Sequence, residues 1–115
     1  MYSTELRIGN LVYRKKTVIE VDIVILSSIC TLENQNIELY KPIPITEEWL
    51  QKFGFVRLGN QETWFGRALW NKGVFAIMHG YGTTNGQRTR YNTTEFDYIH
   101  QLQNLYFALI GEELK

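Results

Sequence analysis

The chain has one cysteine, Cys30, and that scarcity closes several routes at once. No intrachain disulfide can form, and no Cys-x-x-Cys redox or zinc motif exists. A reducing compartment is the simpler home for a lone thiol, so a cytoplasmic location is expected. Surplus charge is missing as well: 12 Lys and Arg face 12 Asp and Glu, for a formal net charge of zero. Proteins that grip long nucleic acid draw their affinity from phosphate neutralisation, so polymer binding is disfavoured. Long apolar runs are absent too. VDIVILSSICTL is too short and too polar to span a bilayer, and MYSTELRIGN lacks an apolar stretch of signal-peptide length. No membrane partner is expected. There is no repeat, linker or low-complexity tract, and 115 residues fit a single domain, 1–115.

Catalytic constellations are equally scarce. There is no H-E-x-x-H, and His79 and His100 stand alone in sequence. Ser3, Ser27 and Ser28 lie in no nucleophile-elbow pattern. Glu47 and Glu48 are adjacent, and adjacent helix residues point about 100° apart, so they do not converge on one substrate atom. GYGTTNG has its third glycine one place late for a phosphate-cradling loop, and a strand rather than a helix follows it. An enzyme is not expected, and neither a cofactor nor a metal is implied.

What the chain does have is apolar and aromatic mass. It is 44% hydrophobic and 14% aromatic, enough for a packed core without staples. LVYR and TVIEVDI, joined through Arg14-Lys15-Lys16, read as a hairpin. Residues 23–32 carry the Ile and Val content of a strand, although Ile23, Leu26 and Ile29-Cys30 also fit a helical face; strand is the expectation. Ile37–Tyr40 is a short strand ended by Pro42 and Pro44. Thr46 caps a short helix whose first turn holds Glu47 and Glu48, and Gly54 terminates it. FVRL, TWFGRALW, VFAIMH and RTRYN then give four antiparallel strands, with turns at Gly59-Asn60 and Asn71-Lys72-Gly73 and a long loop GYGTTNGQ. Thr94 or a near neighbour opens a last helix with Asp97 as capping-box partner, and Gly111 ends it. The fold class is α+β: a small N-terminal β unit, a short helix, an antiparallel β-meander and a C-terminal helix packed on the sheet.

That last helix carries two stripes. Ile99, Leu102, Leu105, Tyr106, Leu109 and Ile110 form a continuous apolar face. His100, Gln103, Asn104 and Phe107 follow the same helical spacing beside it. These four are either a solvated face with one exposed Phe or a second contact. The contact would be made with the N-terminal β unit or with a partner, including another copy of the chain.

The opening ELRIGNLV, the string YKPIPITEEWLQKFGF (40–55) and the string HQLQNLYFALIGEEL (100–114) resemble a family of small proteins encoded by phages and prophages of Bacteroidetes. These blocks cover about a third of the chain and match in order and rough spacing. Ile110 stands where that family typically has Thr, and the segment between the blocks is its variable part. No catalytic or binding residue is established for the family, so the resemblance carries none over. It implies a phage setting, in an infected host cell, rather than a chemistry.

One asymmetry points to a ligand. From Thr63 to Thr94 there is no Asp or Glu, while the stretch holds Arg67, Lys72, Arg88 and Arg90 among Trp64, Phe65, Trp70, Phe75, Tyr81 and Tyr91. The bland reading is an ordinary sheet with a basic outer surface and a packed aromatic side. The functional reading is a site for a small planar anion, in which Arg67, Arg88 and Arg90 hold phosphates and Trp64, Tyr81 and Tyr91 stack on bases. On that reading the chain is a non-catalytic phage binding protein that sequesters a nucleotide-derived host defence signal, such as a cyclic oligonucleotide. The alternative is a protein-interaction module, an inhibitor or accessory factor, using the His100, Gln103, Asn104 and Phe107 stripe.

Overall fold

A computed structural model describes residues 5–34, 39–63, 67–81, 87–92 and 94–114, the side chains of 33, 34, 59–63, 67, 81 and 87 excepted. The architecture is α+β. The chain forms two compact units, one built from the residues up to Pro44 together with Tyr98–Glu113, the other from Ile45–Asp97 together with Leu114.

The first unit starts with β1 (Leu11–Arg14) and β2 (Thr17–Glu20), a hairpin paired from Leu11↔Glu20 to Arg14↔Thr17. Its two-residue tip puts Lys15 at φ 56, a conformation that glycine adopts more readily than lysine. β3 (Tyr40–Lys41) adds to the other edge of β1, through Arg14↔Tyr40 and Tyr13↔Lys41. Between β2 and β3 runs α1 (Ile23–Asn34), so residues 23–32 are a helix and not the strand their composition suggests. Two features decide it. The Asp22 carboxylate accepts from the Ile25 N–H at 2.8 Å, capping the first turn. Ile25, Leu26, Ile29 and Leu32 then fall at helical spacing against Leu6, Val12, Val21 and Tyr40, so packing overrides the β-branched content. Β2 accordingly stops at Glu20, short of the Ile23 expected from alternation.

α3 (Ile99–Ile110) belongs to this unit and lies against β1. It starts later than Thr94. Tyr98 is the N-cap residue, its N–H bonded by the Gln101 side chain at 3.1 Å, and Gly111 closes the helix at φ 84.

The second unit opens with α2 (Glu47–Lys52). Thr46 Oγ1 accepts from the Trp49 N–H at 3.3 Å, as its position before two glutamates predicts, and Gly54 takes φ 87 after it. A five-stranded antiparallel sheet follows in the order β4 (Val56–Thr63), β5 (Arg67–Lys72), β6 (Phe75–Tyr81), β7 (Gln87–Tyr91) and β8 (Thr94–Phe96). Three sequence expectations are corrected here. β4 continues through Gly59-Asn60 instead of turning there, with an irregularity in its pairing to β5 between Leu58 and Thr63. β5 runs to Lys72, so the tight turn is Gly73-Val74. Thr94–Phe96 is a fifth strand rather than a helix start, because Phe96 pairs with Thr89 and is buried. One face of this sheet carries Ala68, Trp70, Phe75, Ile77, His79, Thr89 and Phe96, all buried. Phe55 meets Phe75 edge-on at 6.0 Å, and the Lys72 ammonium donates to the Phe53 carbonyl, joining α2's end to β5.

Candidate functional site

Thr89 is buried and bonded to His79 Nδ1 at 2.8 Å, so Arg88 and Arg90, one residue to either side, face outward together as alternation predicts. Neither guanidinium is free to hold a phosphate. Arg88 donates Nε to Asp97 at 2.8 Å and a terminal nitrogen to Glu95 at 2.9 Å. The Asp97 hydrogen bond holds its proton more firmly than in an ordinary arginine. Arg90 donates Nε to the Asn92 carbonyl at 2.7 Å. Tyr91 lies on the opposite face, stacked on Phe75 at 5.1 Å with the rings 6° apart. The carboxylates displaced past the acid-free segment thus return on and just after β8, beside the arginines. Trp64 lies outside the described residues, as do the side chains of Arg67 and Tyr81. Of the six residues expected to bind a ligand, the three that can be placed do not converge on an open hollow.

The α3 stripe is placed in full. His100 and Gln103 are each 1% exposed. Gln103 Oε1 accepts from the Leu11 N–H at 2.8 Å, and its Nε2 donates to the Gly9 carbonyl at 3.3 Å. Asn104 Oδ1 accepts from Asn10 at 2.8 Å and from Arg7 Nε at 3.2 Å, while its Nδ2 donates to the Glu5 carbonyl at 3.1 Å. Arg7 also pairs with Glu113 and lies over the Phe107 ring at 4.2 Å. The second contact of this helix is therefore the chain's own N-terminal segment. His100 and Gln103 are sealed inside the chain, and Phe107, 40% exposed, is covered in part by Arg7. The buried arc is Ile99, His100, Leu102, Gln103 and Tyr106, rotated from the purely apolar stripe, and Leu109 faces solvent. His100 lies parallel to Tyr98 at 6.0 Å and 3.8 Å from a Glu5 oxygen. Neither of its ring nitrogens is hydrogen-bonded among the described residues, and burial lowers its pKa against the opposing pull of Glu5.

The hollow lies elsewhere in the first unit. α1 and the residues Leu39 and Tyr40, at the start of β3, flank an open groove of about 580 Å³. Ile23, Val24 and Leu32 line it from the helix and Leu39 from the strand side, with Ser27, Ser28 and Thr31 along the helix between them. Arg14 stands at the groove, its guanidinium 5.9 Å from the Tyr40 ring centroid. Arg7, Arg57 and Arg88 each have a carboxylate partner; Arg14 makes no ion pair among the described residues. Lys15 and Lys16, both exposed, follow Arg14 at the hairpin tip, and Lys41, also exposed, ends β3. The arrangement offers an apolar wall, a few hydroxyls and one uncommitted planar cation. These suit the capture of a small anion with an apolar body.

Sequence reasoning missed this site because it read 23–32 as a strand. The signal was present in Asp22 before an Ile25-Leu26, Ile29, Leu32 spacing, with Ser27, Ser28 and Thr31 on the remaining arc. Among the described residues no three His, Cys, Asp or Glu side chains gather as a metal site. No helix among them is long and apolar enough to cross a membrane. Comparisons with protein-family models, with curated proteins and with solved structures find no significant match.

Proposed function

We propose that this chain is a non-catalytic binding protein for a small anionic ligand, held in the groove between α1 and β3. The observation that carries the reading is Arg14: a guanidinium that makes no ion pair among the described residues, beside a concave apolar surface. Burying an arginine's charge complement in such a groove gives both orientation and affinity, since the planar fork bonds a carboxylate or phosphate through two hydrogens. In the phage setting that the sequence resemblance implies, such a binder would act by sequestration, removing a host signal from circulation without cleaving it. A nucleotide-derived signal shares the anionic head that Arg14 would meet.

Calorimetry against a panel of linear and cyclic nucleotides and small organic anions tests this reading. Binding at micromolar concentration that Arg14→Gln weakens, while Arg88→Gln leaves it unchanged, is the expected result. A wild-type chain that binds no member of the panel would overturn it. Recovery of the intact ligand after heating the complex is expected for storage; recovery of a cleaved product would replace binding by catalysis.

A further inference from the structure

The groove's own chemistry narrows the ligand class. Ser28 Oγ donates to the Val24 carbonyl at 3.1 Å and Thr31 Oγ1 to the Ser27 carbonyl at 3.0 Å, so both hydroxyl hydrogens are committed to the helix that carries them. Among the described lining residues of the helix, the Ser27 hydroxyl is left as the one without such a bond, so the surface offers few free donors. A nucleotide or a sugar brings many acceptors and donors, and each one desolvated without a partner costs about 1–3 kcal/mol. The one ring in the lining, Tyr40, is only 6% exposed and offers little surface for a base to stack on. The walls are aliphatic instead. Ile23 and Val24 are 68% and 70% exposed at the first turn of α1, apolar side chains that a ligand tail would take out of water. Among the lining residues the polar provision is one guanidinium, which balances one negative charge, and the Ser27 hydroxyl. A phosphate monoester carries about −1.5 to −2 at neutral pH and would be left partly unbalanced.

We infer that the occupant is a single aliphatic chain ending in a carboxylate, taken up as a free monomer, with the head group on Arg14 and the tail along Ile23, Val24, Leu32 and Leu39. This deepens the small-anion reading and rests on it. The match is one of charge and surface: one planar cation for one planar anion, and a concave apolar strip for a flexible apolar tail. The exposed lysines at 15, 16 and 41 add long-range attraction for the head without entering the groove.

The test is a ladder of straight-chain carboxylates lengthened one methylene at a time, each below its micelle concentration, measured by calorimetry on the whole chain. Each added methylene is expected to tighten binding by about fourfold until the groove is full. The alcohol of equal chain length is expected to bind about tenfold to a hundredfold more weakly. Arg14→Gln should bring the carboxylate down to the alcohol and leave the alcohol where it was. Val24→Asp, a surface change that leaves the core untouched, should weaken every member of the ladder. Affinity independent of chain length, or unaffected by Arg14→Gln, would overturn the inference. If nucleotides bind through Arg14 and the carboxylates do not, the aliphatic assignment falls while the small-anion reading stands; if neither binds, both fall. Binding to anionic phospholipid vesicles but not to monomeric carboxylates would make the surface a membrane contact and also overturn it.

Discussion

Single side chains settle where this chain's polar groups go. Gln103 is the clearest case, because it is buried and satisfies the Leu11 N–H and the Gly9 carbonyl at once. Gln103→Leu is expected to lower stability by about 1–3 kcal/mol, the cost of leaving those backbone groups dry and unpaired, with the change read from urea unfolding. An unchanged midpoint would mean water reaches Leu11. His100 gives a pH dependence of definite sign. Burial holds its folded pKa below the ordinary 6.5, so the unfolded chain binds a proton more readily than the folded one. Stability is therefore greatest above about pH 6.5 and falls as acid is added, through the unfolded value and toward the folded one. His100→Gln removes this part of the slope between about pH 7.5 and pH 5.5, measured by denaturant titrations at each pH. Gly54 is constrained by backbone conformation: at φ 87, with the Lys72 ammonium 3.3 Å from where a Cβ would sit, Gly54→Ala should cost about 1–2 kcal/mol.

At the scale of elements, α1 is where the account is most exposed. Its N-terminus rests on the Asp22 cap, and Asp22→Ala is expected to destabilise the chain by about 1 kcal/mol, seen as a lowered melting temperature. A strand at 23–32 would be indifferent to that change. The same element shows what was legible in the sequence and what was not. Thr46 with two following glutamates announced α2, and Gly111 announced the end of α3, because caps and stops are local chemistry. Alternation in TWFGRALW and RTRYN puts Ala68 with Trp70 on one face and sets Thr89 opposite Arg88 and Arg90, and the structure buries the Ala68, Trp70 and Thr89 side, because the period of two depends on neighbours alone. α1 was misread because Ile and Val favour strands locally, and only its packing against Val12, Val21 and Tyr40 reverses that preference. β8 was missed because three residues carry too little pattern, even though its partner β7 lies only a tight turn away in sequence. The pairing of Arg88 with Glu95 and Asp97 followed from that missed strand, and so did the misplacement of the candidate site. The groove depended on α1 and was invisible without it.

For the molecule as a whole, zero net charge conceals an uneven distribution. Arginines 7, 57 and 88 are matched by acids close at hand, whereas Arg14 lines the groove and makes no ion pair among the described residues, and Lys15 and Lys16 follow it at the exposed hairpin tip. A neutral protein with a locally unbalanced cationic edge attracts small anions there and does not track a polyanion. Binding should accordingly weaken only modestly as salt rises, since one ion pair is formed rather than many. The most direct test of the central claim is a two-dimensional amide and arginine-side-chain NMR titration of the intact chain with a straight-chain carboxylate. Shifts confined to Arg14, the Ile23–Leu32 face of α1, Leu39 and Tyr40 are expected. Shifts centred instead on Arg88, Arg90 and Tyr91, or no shifts at saturating ligand, would contradict it.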